Sequence, residues 1–268
     1  MAQPAAVKPP TGTPIAPATG PRKAGSWLWE WTKSIGVALV VWFFLRTFLL
    51  EAFRIPSGSM ENTLLVGDFL FVNKLLYGAE IPLTGKKLPA VREPRRNEIL
   101  VFDSVEEPGL KVVKRLIGVP GDTLAMENGI LIRNGQRIDE PYAVHANPSV
   151  LAEPEQREHM RAWQSTHLAG RSPEGYHPDL QNWGPIVVPA DSFFMMGDNR
   201  DSSYDGRYWG FLPRDYVKGR ALVIYWSYDA GPEVYDEGGA GDTLKGLGSV
   251  FVHFFTRTRW DRMFHQIR

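Results

Sequence analysis

The chain has 268 residues, is 43% hydrophobic, and carries 30 basic and 30 acidic side chains. That length and apolar content supply a core for one large or two modest domains and exclude a small stapled fold, while zero formal charge offers nothing to a nucleic-acid polyanion. The absence of cysteine excludes disulfides, thiolate metal sites and a thiol nucleophile.

Residues 1–26 are rich in Pro, Ala, Gly and Thr without apolar periodicity. Such a composition buries too little surface to offset its ordering entropy, so a disordered tail is expected. From Trp27 the character changes, and residues 34–53 reach the ~20 apolar residues that a bilayer-spanning helix needs, with Arg46 the only charge before Glu51. Trp27, Trp29 and Trp31 suit a membrane interface. A cleaved signal peptide is the competing reading, weakened by the lack of a small-x-small site. A buried soluble helix is the other, weakened because apolar residues occupy every face. Residues 27–53 are therefore read as a membrane anchor. Lys8, Arg22, Lys23 and Lys33 then place the N-terminus in the cytoplasm and everything after Phe53 outside.

Pro56-Ser57-Gly58-Ser59-Met60 follows the anchor and is a turn whose glycine lets backbone approach a ligand. Strand composition recurs at 68–73, 98–103, 111–119, 130–133, 186–188, 193–196 and 221–226. Asn128-Gly129 and Asn134-Gly135 mark hairpins. Residues 75–96 read as a loop, and 143–182 as an irregular insertion with a short helix over 153–163. Residues 229–248 are Gly-rich and read as flexible. Residues 250–267 mix Phe251, Phe254, Phe255, Trp260 and Phe264 with Arg257, Arg259 and Arg262, which fits a membrane-surface segment or a closing helix on the domain equally well.

A serine nucleophile needs a base. His145, His159, His167 and His177 lie in the irregular insertion, and His253 and His265 in the tail, none in a strand-turn setting. Lysine serves as a base only where burial makes its charge costly. Lys114 fits, since strand alternation sets it on one face with Val112 and Leu116; a strand-edge lysine that blocks aggregation is the equal alternative. The third polar stretch is 197–210, GDNRDSSYDGRYWG. Its alternating Asp and Arg suggest a self-bridged scaffold. A calcium loop of Asp198, Asn199, Asp201 and Asp205 is the weaker reading, because Arg200 and Arg207 compete with a cation and the EF-hand spacing is missing.

Taken in order, FRIPSGSM at 53–60, VKRLIGVPGD at 113–122 and GDNRDSSYDGRYWG at 197–210 resemble the bacterial type I signal peptidases, membrane-anchored serine proteases of the Ser/Lys class. The resemblance covers 27 to about 226 apart from the insertion. It implies a mainly β fold: an antiparallel β-sheet catalytic domain at 54–127 and 186–228, a smaller β-rich insertion at 128–185, one N-terminal transmembrane helix, and a C-terminal segment at 229–268. It also implies Ser59 as nucleophile, Lys114 as general base, and the Ser57 hydroxyl with the Ser59 N–H as oxyanion hole. Ser203 matches the serine that orients the lysine; Arg115 with Asp198, and Asp205 with Arg207, match supporting salt bridges. Phe53, Ile55, Met60, Leu64 and Val113 match the pockets for small substrate residues. The implied partners are secretory precursors with signal peptides and the bilayer of the bacterial cytoplasmic membrane, with no metal or organic cofactor. Asn62 stands where the family commonly has proline, and Asn97-Glu98 where it has Gly-Asp, which leaves the geometry of those two turns open.

Overall fold

The computed structural model describes residues 24–145, 153–170, 175–229 and 252–267. Two compact units result, Met1–Phe43 and Phe44–Arg268. In the first, helix α1 (Ala24–Phe44) is apolar on all faces from Ile35 onward, and Val37, Leu39, Val40, Val41, Trp42 and Phe43 are all exposed. Together with a π-helical turn at Leu45–Leu49, the stretch Trp29–Leu49 is long and apolar enough to cross a membrane.

The helix ends there. The sequence reading carried it to Phe53, but Leu50–Arg54 is strand β1, whose residues alternate between exposed and half-buried as a half-covered strand requires. β1 pairs antiparallel with β2 (Asp68–Asn73), setting Phe53 opposite Leu70. Strands β3 (Ile99–Asp103), β4 (Lys111–Gly118), β5 (Thr123–Glu127), β6 (Ile130–Arg133), β7 (Gln136–Arg137) and β8 (Trp183–Val187) follow in turn. Helix α2 (Pro154–Ser165) lies between β7 and β8, close to the expected position. The chain continues through β9 (Ser192–Met196), the single helical turn α3 (Gly206–Trp209), β10 (Leu212–Pro213), β11 (Val217–Ser227) and β12 (His265–Gln266).

Two antiparallel sheets form. The larger runs β1-β2-β11-β3-β4-β9-β10, with β12 also on β11. The smaller runs β7-β6-β5-β8. It includes Thr123–Glu127, so it starts before the expected boundary at 128, which falls inside the β5–β6 hairpin; Leu124 pairs with Arg133 across that hairpin. The left-handed Asn128 and Asn134 (φ 50° and 53°) make the turns at either end of β6, as the Asn-Gly pairs predict.

Alternation along β4 divides its apolar side chains as expected. Val113 packs against the core of Ile55, Met60, Leu64, Leu70, Val72, Ile99 and Val101, whereas Val112 and Leu116 join Leu100, Phe102, Met195 and Val217. Phe53 also packs on the first of these clusters. β9 pairs with β4 only from Arg115 onward. The outer edges of β1 and of β4 before Arg115 therefore carry no strand among the described residues.

Most of the Gly-rich segment lies outside the described residues. After it, residues 252–257 are helical, and the chain returns to the large sheet as the closing element of the domain. Val223 pairs with Gln266 and Ile267 is buried in the first cluster. Arg262 donates to both oxygens of the fully buried Asp68 carboxylate, at 2.5 and 3.1 Å, while the Leu65 N–H and the Ser227 hydroxyl reach the same carboxylate at 2.8 and 2.6 Å. Asp68 thus ties the C-terminus to the loop that follows the Ser57–Ser59 turn. Removing one partner of a buried ion pair leaves an uncompensated charge and costs about 3–5 kcal/mol. Arg262→Ala is accordingly expected to lower stability by about that amount, read in chemical denaturation, while Asp68→Asn with Arg262→Met together should cost less than the single changes summed.

Candidate active site

The turn carrying the two serines is a single 3₁₀ turn, Gly58–Met60. It is anchored by burial of Met60 and by bonds from the Glu61 N–H to Gly58 O (3.0 Å) and from the Leu64 N–H to Met60 O (2.8 Å). Ser59 is half-buried and Ser57 exposed, with their hydroxyl oxygens 3.4 Å apart. The polar loop after β9 holds the turn from the other side: the Asn199 N–H donates to Ser59 O at 3.1 Å, and the Asn199 side-chain amide donates to Gly58 O at 3.3 Å. Gly197 sits between the two. A Cβ there would fall 2.4 Å from Ser59 O and 2.2 Å from Ser203 Oγ, so no larger residue fits without displacing the turn.

Lys114 Nζ lies 2.5 Å from Ser59 Oγ. The side chain reaches it from within β4 and is only 4% exposed. Burial pushes its pKa down from 10.5 to about 8; Asp205 and Asp198 pull it back up and Arg207 pushes it further down. An amine in that state is neutral over part of the physiological range, and at this distance it can accept a proton from a hydroxyl.

Two buried ion pairs surround the amine. Arg115 grips Asp198 with two bonds, 2.7 and 2.6 Å, and Arg207 grips Asp205 with two at 2.9 Å. Both carboxylates are fully buried and fully engaged, but of the self-bridging expected within the polar loop only Asp205–Arg207 is internal; Asp198 pairs with Arg115 of β4, and Arg200 with Glu140. Burial alone would raise the Asp205 carboxyl, but the Arg207 guanidinium and the Gly197 N–H outweigh it and hold it below the usual carboxylate range.

One expectation is not met. Ser203 is buried close to Gly197, but its hydroxyl has no hydrogen-bond partner among the described residues, so the bond that would orient Lys114 is not made. The amine spends its contact on Ser59 instead. Of the five residues matched to the substrate pockets, Ile55, Met60 and Leu64 are buried in one apolar cluster, with Phe53 and Val113 packed against it.

Several members of the site went unread in the sequence. Thr63 Oγ1 donates to Asp198 at 2.5 Å and accepts from Arg115 at 3.2 Å. Arg115 also donates to Asn97 O at 2.7 Å. Arg200 makes a bidentate pair with Glu140 at 2.7 and 2.8 Å. Asn62 and Asn97 adopt φ of 84° and 70°. Asparagine tolerates that region, whereas proline, fixed near −65°, cannot adopt the conformation found at 62. The turn geometry here therefore differs from one built on proline.

The family described as signal peptidase, peptidase S26, matches residues 28–226. Among curated relatives, signal peptidase I of Pseudomonas aeruginosa is 36% identical over 212 residues, covering 74% of this chain and 72% of its own. Signal peptidase I of Leptolyngbya laminosa is 37% identical over 224 residues, covering 81% and 89%. A solved signal peptidase I from Enterococcus faecalis V583 aligns at 28% identity and TM-score 0.33, over 49% of this chain and 98% of its own. The chain belongs to the signal peptidase family, peptidase S26, and is accordingly a peptide-bond hydrolase that removes signal peptides from secretory precursors.

A lysine whose folded pKa lies below its unfolded value destabilises the fold while charged, and the penalty is relieved as pH rises from about 8 toward 10.5. Lys114→Met should therefore be more stable than wild type below pH 8, by at most about 3 kcal/mol. The difference should shrink between pH 8 and 10.5, and paired thermal melts across that range check it.

Proposed function

We propose that this peptidase is a membrane-anchored Ser/Lys serine endopeptidase that cuts precursors after small residues at the first and third positions before the scissile bond. The observation carrying the reading is the 2.5 Å approach of a buried Lys114 amine to the Ser59 hydroxyl. Neutral Lys114 takes the Ser59 proton as Oγ attacks the scissile carbonyl carbon. The resulting oxyanion accepts hydrogen bonds from the Ser57 hydroxyl and the Ser59 N–H. Collapse expels the amine of the mature protein, which takes the proton back from Lys114, and leaves an acyl group on Ser59. Lys114 then deprotonates a water that hydrolyses the ester and frees Ser59. Arg115–Asp198 and Arg207–Asp205 fix the frame around the amine.

The open edges of β1 and early β4 support binding of the substrate as an added strand. Its small side chains rest against the cluster of Phe53, Ile55, Met60, Leu64 and Val113, whose dense packing leaves little room for larger ones. The exposed apolar stretch Trp29–Leu49 is the membrane anchor. The basic residues before it keep the N-terminus cytoplasmic, and the catalytic domain lies on the outer side of the bacterial cytoplasmic membrane. Ser59 is ten residues past Leu49, so attack falls near where a membrane-held signal segment leaves the lipid.

Cleavage of a secretory precursor by the purified protein tests the assignment. Lys114→Met should lower turnover about 10²-fold to 10⁴-fold, and Ser57→Ala about 10²-fold to 10³-fold with KM little changed. Persistent cleavage by Lys114→Met or Ser59→Ala would remove the dyad. The wild-type rate should rise with pH through an acid limb near 8, where Lys114 loses its proton.

A further inference from the structure

The segment 140–145, which leaves the small sheet, lies as a strap on the loop after β9. Val144 bridges in parallel to Asn199, its N–H donating to Asp198 O at 2.8 Å and its carbonyl accepting from the Arg200 N–H at 2.9 Å. Glu140 takes the Arg200 guanidinium, and His145 Nδ1 lies 3.4 Å from Asp201. Tyr142 is the strap's inward residue. The Arg115 guanidinium carbon is 3.8 Å from its ring centroid and that of Arg200 is 6.0 Å away. Its hydroxyl donates to Glu140 at 2.8 Å, with Asn97 Oδ1 3.3 Å away. Its carbonyl accepts from the Asn62 amide at 3.1 Å, two residues after Met60.

A ring stacked on a guanidinium leaves the in-plane N–H groups free for acceptors while keeping water off the face. Arg115 uses those N–H groups on Asp198, Asn97 O and Thr63. That pair is where the two halves of the site are joined. Arg115 follows Lys114 in β4, and Asp198 precedes Asn199, whose N–H holds Ser59 O. An ion pair open to water contributes little, so the tie depends on staying dry. We infer that Tyr142 is a positioning residue for the reaction: its ring seals the Arg115–Asp198 pair and so keeps Lys114 and Ser59 at bonding distance.

The inference rests on the Ser59–Lys114 reading above. Its charged surroundings are Arg115, Arg200, Glu140 and Asp198 around the ring, and Asp205, Arg207 and Asp198 around the amine. The test uses the full chain in detergent, cleaving a secretory precursor, with kcat and KM measured across the acid limb. Tyr142→Leu should lower kcat about 10-fold to 100-fold through loss of alignment, with KM nearly unchanged. Its acid limb should move to higher pH as water reaches the amine. Tyr142→Phe keeps the ring and should restore both values. Should Tyr142→Leu fail to fold, Asn62→Gly removes the tether while accepting the φ of 84°, and should give a smaller fall in kcat with the same direction of limb shift. The proposal is overturned by wild-type kcat in Tyr142→Leu, by equal losses in Tyr142→Phe and Tyr142→Leu, by a fall in kcat with the limb unmoved, or, if only Asn62→Gly can be measured, by its wild-type behaviour. Cleavage surviving in Lys114→Met would instead strike the dyad, a result separate from any of these.

Discussion

Removing one lysine from water is the constraint around which this structure is arranged. An ammonium group gives up a large hydration energy on burial, and without compensation it sheds its proton. Burial pushes Lys114 toward that state, and the carboxylates near it, Asp198 and Asp205, offset this only in part, each being gripped by an arginine. The two ion pairs set carboxylates that favour the ammonium beside an arginine, Arg207, that opposes it. Their geometry also fixes the glycine that separates Ser59 from Ser203.

The same arrangement explains why so many polar groups are buried around one small turn. Asp68, Asp198, Asp205, Arg115, Arg200 and Arg207 are all buried, and each is joined by at least two bonds. Such networks are favourable only when complete. Near the turn, the buried hydroxyl of Ser203 and the Asn199 Oδ1 lack partners among the described residues, and both lie in the loop that contacts Ser59 O.

Much of this was legible in the chain. The strands at 68–73, 111–119 and 193–196 follow from β-branched and aromatic composition between turn residues, and Lys114 stood out as a charge in an aliphatic strand. The Phe53 misreading has a local cause: apolar residues continue across the helix end, and only pairing with β2 shows that Leu50–Arg54 is extended. The return of the C-terminal segment was undecidable because its exposed Val252, Phe255 and Phe264 look the same whether or not Ile267 reaches the core. Thr63 and Tyr142 carried no signal. Thr63 meets Asp198 across 135 positions and Tyr142 stacks on Arg115 from another element, and no periodicity encodes such meetings.

The strand order has a temporal meaning. The hairpin β1–β2 and the hairpin β3–β4 are not paired to each other; β11 lies between β2 and β3 and hydrogen-bonds to both. The halves bearing Ser59 and Lys114 thus become one sheet only when residues 217–227 arrive, more than 100 positions after Lys114 in the chain. A chain still being made lacks the strand that unites them. The two parts of the site share one sheet only once residues 217–227 have been synthesised.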